Sequence, residues 1–237
     1  MLRFALALIL FLSACATVPP EPRPAPGTVP APSEAELRQR ADHAARQFVR
    51  VVKTVEPVAE QVCRERTSNV NCDFQIVVDD RLGQPPNAFH TLGRNGEPLI
   101  AFNLALILAV ENEDELAFIM GHEAAHHIAG HFERARRGAS LGAQIFGGAA
   151  ATISGGDADA IRAGQEFGAA LGIRTFSKEF ELEADALGTI ITQRAGYDPI
   201  RGAEFFNRLP DPGNRFLGTH PPNAARIETV RRVASGS

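Results

Sequence analysis

The sequence predicts a mainly α domain with a small antiparallel β-sheet. Three observations carry this. Apolar residues recur at helical spacing from 33 to 55, from 112 onward and from 177 to 194. Between 73 and 106 the pattern changes to short β-branched and aromatic runs separated by turn residues. The composition, 44% hydrophobic and 22% charged over 237 residues, suffices for one domain with its own core.

The first fifteen residues, "MLRFALALILFLSAC", set one basic residue, Arg3, before an apolar run from 4 to 12. That run is too short for a permanent bilayer span, so residues 1–14 read as a signal peptide. Leu12-Ser13-Ala14-Cys15 resembles the bacterial lipobox, which implies lipidation of Cys15 as the mature N-terminus. Ala16 follows instead of Asp. By resemblance to enterobacterial lipoproteins this favours an outer-membrane lipoprotein facing the periplasm. Residues 16–32 hold seven of the sixteen prolines. They form a polyproline-type tether reaching roughly 50 Å at roughly 3.1 Å per residue. The folded domain is therefore expected over 33–237, with the lipidated Cys15 and the tether occupying 15–32.

Ser33 and Glu36 have capping-box spacing, and a helix follows to about 55. Cys63 and Cys72 remain as an even pair in an oxidising compartment, which reads as a disulfide stabilising by roughly 2–3 kcal/mol. "DFQIVVDD" (73–80) is a strand candidate. "NAFHTLG" (87–93) and "PLIAFNLAL" (98–106) are two more, joined at the Asn95-Gly96 turn, and the three give an antiparallel meander. Asn112 caps a helix with Glu115 three residues on. That helix is expected to reach 136 or 137 and stop at Gly138, with Arg134, Arg136 and Arg137 at its negative end. Residues 138–173, rich in Gly and Ala, fit a mobile flap over a cleft, a shallow lipid contact or close helix packing. Another helix covers about 177–194 and ends near Gly196. Asp198-Pro199 starts one more, and "LGTHPPNAARIETVRRV" carries a loop and a last helix.

The chemistry concentrates in "GHEAAHHIAGH" (121–131), which contains four of the seven histidines. Residues four apart on a helix differ by about 40°, so His122 and His126 share a face with Glu123 between them. In this H-E-x-x-H arrangement two imidazoles hold Zn²⁺ and the glutamate acts as base on water. On a straight helix His127 points about 100° and His131 about 140° away from His126. His127 then reads as a packing residue and His131 as an exposed helix-end residue. The metzincin extension fails, because Ala129 and Phe132 stand where Gly and His are needed. A catalytic zinc requires a third ligand, and "EFELEADALG" offers Glu181 and Asp185 four apart on one face. Glu181 suits the metal, and Asp185 suits the free N–H of a ligating histidine. Glu179 and Glu183, about 200° from Glu181, are expected to face solvent. Without the upstream histidines the same pair would be an ordinary acidic face.

"ELAFIMGHEAAHHIAGH", "EFELEADALG" and "GTHPPNAARI", in that order, resemble the HtpX / CAAX-prenyl-endopeptidase family of gluzincin zinc metallopeptidases. "PNAFHTLGRNGEPLIAFNLAL" is similar to the family's strand segment before the metal helix. The resemblance covers about 74–232 and implies a gluzincin-type fold, one Zn²⁺ per chain and endopeptidase activity. It implies that His122, His126 and Glu181 ligate zinc, that Glu123 is the general base and that Asp185 supports a ligand histidine. His220 matches a family histidine near the metal, which stabilises the oxyanion or fills the open position. Arg226 pairs with substrate or with a carboxylate, and Asn87 shapes the substrate strand. The sequence lacks the multiple hydrophobic spans of the family's membrane members, so a minimal, lipid-anchored version is expected.

Protein or peptide substrates follow, in the form of unfolded or misassembled envelope proteins, with the outer-membrane assembly machinery as a further partner. The membrane is met through the lipid anchor. Nucleic acid is excluded as a partner: net charge is −4 and Trp is absent. The competing reading is a non-proteolytic chaperone or scaffold for outer-membrane protein assembly with a structural zinc.

Overall fold

The computed structural model describes residues 31–175, 177–213 and 220–236. The signal peptide, Cys15 and the tether up to residue 30 lie outside the described residues.

Helix α1 (Glu34–Arg66) opens on a capping box, in which the Ser33 N–H donates to Glu36 Oε2 at 2.7 Å and the Glu36 N–H to Ser33 Oγ at 3.3 Å. It does not stop near 55 but runs on through Pro57. Proline removes one backbone bond at a cost of about 3 kcal/mol. The buried stripe Val51, Val55, Ala59, Val62 and Cys63 offsets this on both sides of the proline. A disulfide joins Cys63 to Cys72, with Cα atoms 5.7 Å apart, and ties the end of α1 to the entry of the sheet.

The sheet comprises β1 (Gln75–Asp79), β2 (Ala88–Leu92) and β3 (Pro98–Asn103), in the order β1-β3-β2. The β2–β3 hairpin is antiparallel, with Ala88 opposite Phe102, and Gly96 turns it at φ +82°. The expected meander fails at β1, which pairs parallel to β3 with Gln75 opposite Leu99. Burial explains the order. Ile100, Ala101 and Phe102 are buried, so β3 takes the centre, while β1 and β2 are half-exposed edges. The strand also stops sooner than 106. Asn103 Oδ1 accepts from the N–H groups of Leu106 (2.9 Å) and Asn87 (3.0 Å), capping α2 (Leu104–Ala109).

Helix α3 (Glu113–Ile128) lies in the core between α1 and α6 (Ser177–Arg194), with Leu116, Ala117, Met120, Ala124 and Ala125 buried. Glu115 is fully buried near its start and accepts a bidentate pair from Arg208 at 2.8 and 2.6 Å. The helix does not continue to 137. Gly130 adopts φ +65°, open to glycine at little cost, and a new helix α4 (His131–Ser154) leaves in another direction.

Of the three readings of the Gly/Ala-rich segment, close helix packing matches the structure. Helices α4 and α5 (Ala158–Arg174) form a hairpin whose backbones meet at glycines. A Cβ on Gly142 would collide with the Gly168 carbonyl, and one on Gly172 with that of Gly138. The outward faces leave Leu141 (59%), Ile145 (58%), Phe167 (59%) and Ile153 (87%) exposed. Among the described residues no helix is long and apolar enough to cross a membrane. Helix α7 (Pro199–Gly202), a 3₁₀ turn over Ala203–Arg208 and helix α8 (Asn223–Ala234) close the domain against α3 and α6.

Candidate active site

The site is assembled by the crossing of α3 and α6. The two helices approach where Gly121 faces Gly188. A Cβ on Gly188 would lie 2.9 Å from the His122 backbone nitrogen, and one on Gly121 2.9 Å from the Gly188 carbonyl. This approach brings the polar faces of both helices together in the core. His122 Nε2 and His126 Nε2 stand 3.0 Å apart. Glu181 presents Oε2 to the first at 3.7 Å and Oε1 to the second at 3.5 Å. These separations of 3.0, 3.5 and 3.7 Å are close to the roughly 3.3–3.6 Å between donors that one tetrahedral ion with bonds of about 2.0–2.2 Å draws together. Two imidazoles and a carboxylate, with no thiolate, suit a zinc site with a position left for water.

The second nitrogen of His122 is held as well. Nδ1 lies 2.9 Å from Asp185 Oδ1, which fixes the tautomer that turns the Nε2 lone pair toward Glu181. Asp185 is itself fully buried and clamped by Arg226, through Nε at 2.7 Å and Nη2 at 2.6 Å. Burial pushes the Asp185 carboxyl up, but the bonds from Arg226 and His122 outweigh it and hold the group below its ordinary value. Glu181 is likewise held low: burial opposes its charge, and His126, His220, His122 and Arg226 together overcome it. The Arg226 guanidinium also stacks on Phe206 at 3.9 Å. Arg226 thus pairs with a carboxylate, and its Nη1 also stands 3.5 Å from Glu181 Oε2 where it lines the cleft.

Glu123, half-buried, faces a cleft of about 430 Å³ that the two histidines and Glu181 also line. His220 stands at the mouth with more than half its side chain exposed, and its Nδ1 is 3.3 Å from Glu181 Oε2. Asn87 sits where edge strand β2 meets the cleft. Its backbone N–H and carbonyl are both paired with Asn103, at 3.0 Å each, so Asn87 sets the start of that strand.

His127 is a packing residue. Its Nε2 bonds the Asn71 carbonyl at 2.7 Å, and its ring meets Phe74 and His90. His131 is not the exposed helix-end residue that a straight helix implies. It is 4% exposed, its Nδ1 lies 2.8 Å from His126 Nδ1, and its ring stacks on Phe180 at 4.5 Å. The turn at Gly130 accounts for the difference, because the 140° offset no longer applies once the helix is broken. Burial lowers the His131 pKa to about 4, so the ring is neutral. Glu183 is exposed, as its position on α6 implies, and from there accepts from Arg134 at 2.6 Å and from His131 at 3.1 Å. The signal that could have located this group is the glycine immediately before a histidine in "AGH".

Residues 45–234 match peptidase family M48. The chain is 31% identical over 174 residues to the beta-barrel assembly-enhancing protease of Yersinia pestis. It is 30% identical over 174 residues to that of Escherichia coli strain K12. Each alignment takes in 68% of this chain and 34% of the relative, so the chain spans about a third of the length of these curated relatives. The described site residues, from Asn87 to Arg226, all lie within the family match.

Proposed function

The chain belongs to peptidase family M48, a family of zinc metallopeptidases, and on that premise we propose that it is a metalloendopeptidase of the cell envelope. The observation that carries the reading is the convergence of His122 Nε2, His126 Nε2 and a Glu181 oxygen on one point that opens, beside Glu123, into the cleft. His122, His126 and Glu181 hold one zinc per chain. The ion, when bound, lowers the pKa of a water toward about 7 and polarises the scissile carbonyl. Glu123 takes the proton of the attacking water and returns it to the leaving amine. Asp185, charged through its pairing with Arg226, keeps the His122 proton on Nδ1. His220, at the cleft mouth with its Nδ1 on Glu181, donates through its other ring nitrogen to the developing oxyanion. The substrate lies as an added strand against the outer edge of β2, a main-chain mode that accepts varied sequences.

The substrates we infer are unfolded or misassembled envelope proteins, in keeping with relatives whose name couples proteolysis to β-barrel assembly. The apolar run over 4–12 and the lipobox ending at Cys15 support cleavage after residue 14 and lipidation of Cys15. They also support a tether over 15–32 that holds the domain of 33–237 at the periplasmic face of the outer membrane. Three protein ligands beside an open cleft favour a catalytic site over a closed structural zinc.

The test is a pair of variants. Glu123→Gln is expected to retain zinc and lose cleavage of unfolded casein, and wild-type cleavage by that variant would sink the mechanism. Glu181→Ala is expected to lose most of the metal, and full occupancy by elemental analysis would overturn the ligand assignment.

A further inference from the structure

The two metal-facing imidazoles each have a second nitrogen, and the chain gives the two nitrogens different partners. His122 Nδ1 meets the carboxylate of Asp185 at 2.9 Å. His126 Nδ1 meets another imidazole, His131 Nδ1, at 2.8 Å. Two ring nitrogens at that distance share one proton, with one ring donating and the other accepting. Once His126 offers its Nε2 lone pair to a metal, its proton must sit on Nδ1. His131 must then accept at Nδ1 and carry its own proton on Nε2. That nitrogen lies 3.1 Å from Glu183 Oε2, which can only accept. Every tautomer along the line His126, His131, Glu183 is thereby determined.

The surroundings keep the line in place. The His131 ring lies nearly parallel to Phe180, with centroids 4.5 Å apart and planes 14° from one another. Arg134 covers the Phe180 ring at 4.4 Å and bonds Glu183 at 2.6 Å. Phe180 immediately precedes Glu181, so one turn of α6 supplies both the metal-facing carboxylate and the shelf for His131. Gly130 makes the arrangement possible by turning the chain through φ +65° just before His131.

We propose that His131, backed by Glu183, is a positioning residue for His126: it holds the Nδ1 proton and the ring orientation of a zinc ligand, as Asp185 does for His122. This rests on the metallopeptidase reading. Such partners of ligating histidines typically carry roughly 10–100-fold in metal affinity.

The experiment uses the full chain and His131→Phe, which keeps a ring to stack on Phe180 and removes both nitrogens. Zinc affinity is measured by competition with a chromophoric chelator. The visible spectrum of the cobalt(II)-substituted protein reports the ligand field, and thermal melting of the metal-free protein reports folding. We expect His131→Phe to bind zinc roughly 10–100-fold more weakly, with an altered cobalt spectrum and a wild-type melting midpoint. Glu183→Gln, whose amide oxygen still accepts from His131, is expected to weaken zinc binding by less, and Glu179→Gln on the exposed side of α6 not at all. His131→Phe with zinc affinity within twofold of wild type and an unchanged cobalt spectrum overturns the proposal. Should His131→Phe fail to fold, Glu183→Ala decides on the same readouts, and wild-type affinity there overturns it equally. Wild-type protein that takes up no zinc overturns the metallopeptidase reading and this role with it. Wild-type protein that binds zinc no better than His131→Phe overturns this role alone.

Discussion

Two helix pairs in this domain close on glycines, and they do so to different ends. In the α3/α6 pair, Gly121 and Gly188 meet inside the core, and the next residues along each helix are His122 and the turn carrying Glu181 and Asp185. In the α4/α5 pair, Gly138 and Gly142 meet Gly172 and Gly168, and most of the side chains around them point to solvent. The contact geometry is similar, but its neighbours differ. Close backbone approach in the first pair brings titratable groups within bonding distance and removes them from water, which is what makes His122 and Asp185 a tight buried pair. In the second pair it joins two helices into an arm with little core of its own. A glycine stripe therefore reports that two backbones touch, and the flanking residues decide whether a site results.

Substitutions at the glycines can break the comparison. The largest effect is expected for Gly188→Val. Its Cβ meets the backbone of His122, which cannot move without displacing the ligand. We expect destabilisation of about 1–3 kcal/mol or more together with loss of zinc, measured by chemical denaturation and elemental analysis. Retained zinc would mean that the α3/α6 spacing is not what aligns the site. Gly168→Val should be smaller and local. It drives a side chain into the Gly142 carbonyl and forces the arm open, so limited proteolysis should cut within 131–174 while zinc stays bound. If zinc is lost as well, the two pairs are one cooperative unit. The smallest effect is expected for Ile153→Asp near the tip of the arm, within about 0.5 kcal/mol in denaturation and without change in metal content. A large loss there would show that the tip is covered in the native protein.

The same contrast explains how much could be read from the sequence. The convergence of His122, His126, Glu181 and Asp185 was legible because each pair lies four apart within one unbroken helix, where direction follows from spacing. His131 departs from its expected place because that rule does not hold across Gly130, where the backbone changes hand, whereas Glu183, within the same unbroken helix as Glu181, is exposed as its spacing implies. The parallel pairing of β1 with β3 depends on which strand is most deeply buried, and periodicity within each strand does not contain that information. The continuation of α1 through Pro57 was missed for a related reason: the buried stripe on the far side of the proline belongs to tertiary packing. Pairing of Arg226 with a carboxylate was one of two roles open in the sequence, but that its partner is Asp185, 41 residues upstream on another helix, leaves no local trace.

The turn at Gly130 also has a mechanical meaning. The first residue of α4 is His131, whose ring touches a metal-facing imidazole on one side and Glu183 on the other. The arm that starts there is 24 residues long, roughly 36 Å at about 1.5 Å per residue. It is rooted twice beside the site: α4 starts at the imidazole that meets His126, and α5 leads back into the helix that carries Glu181.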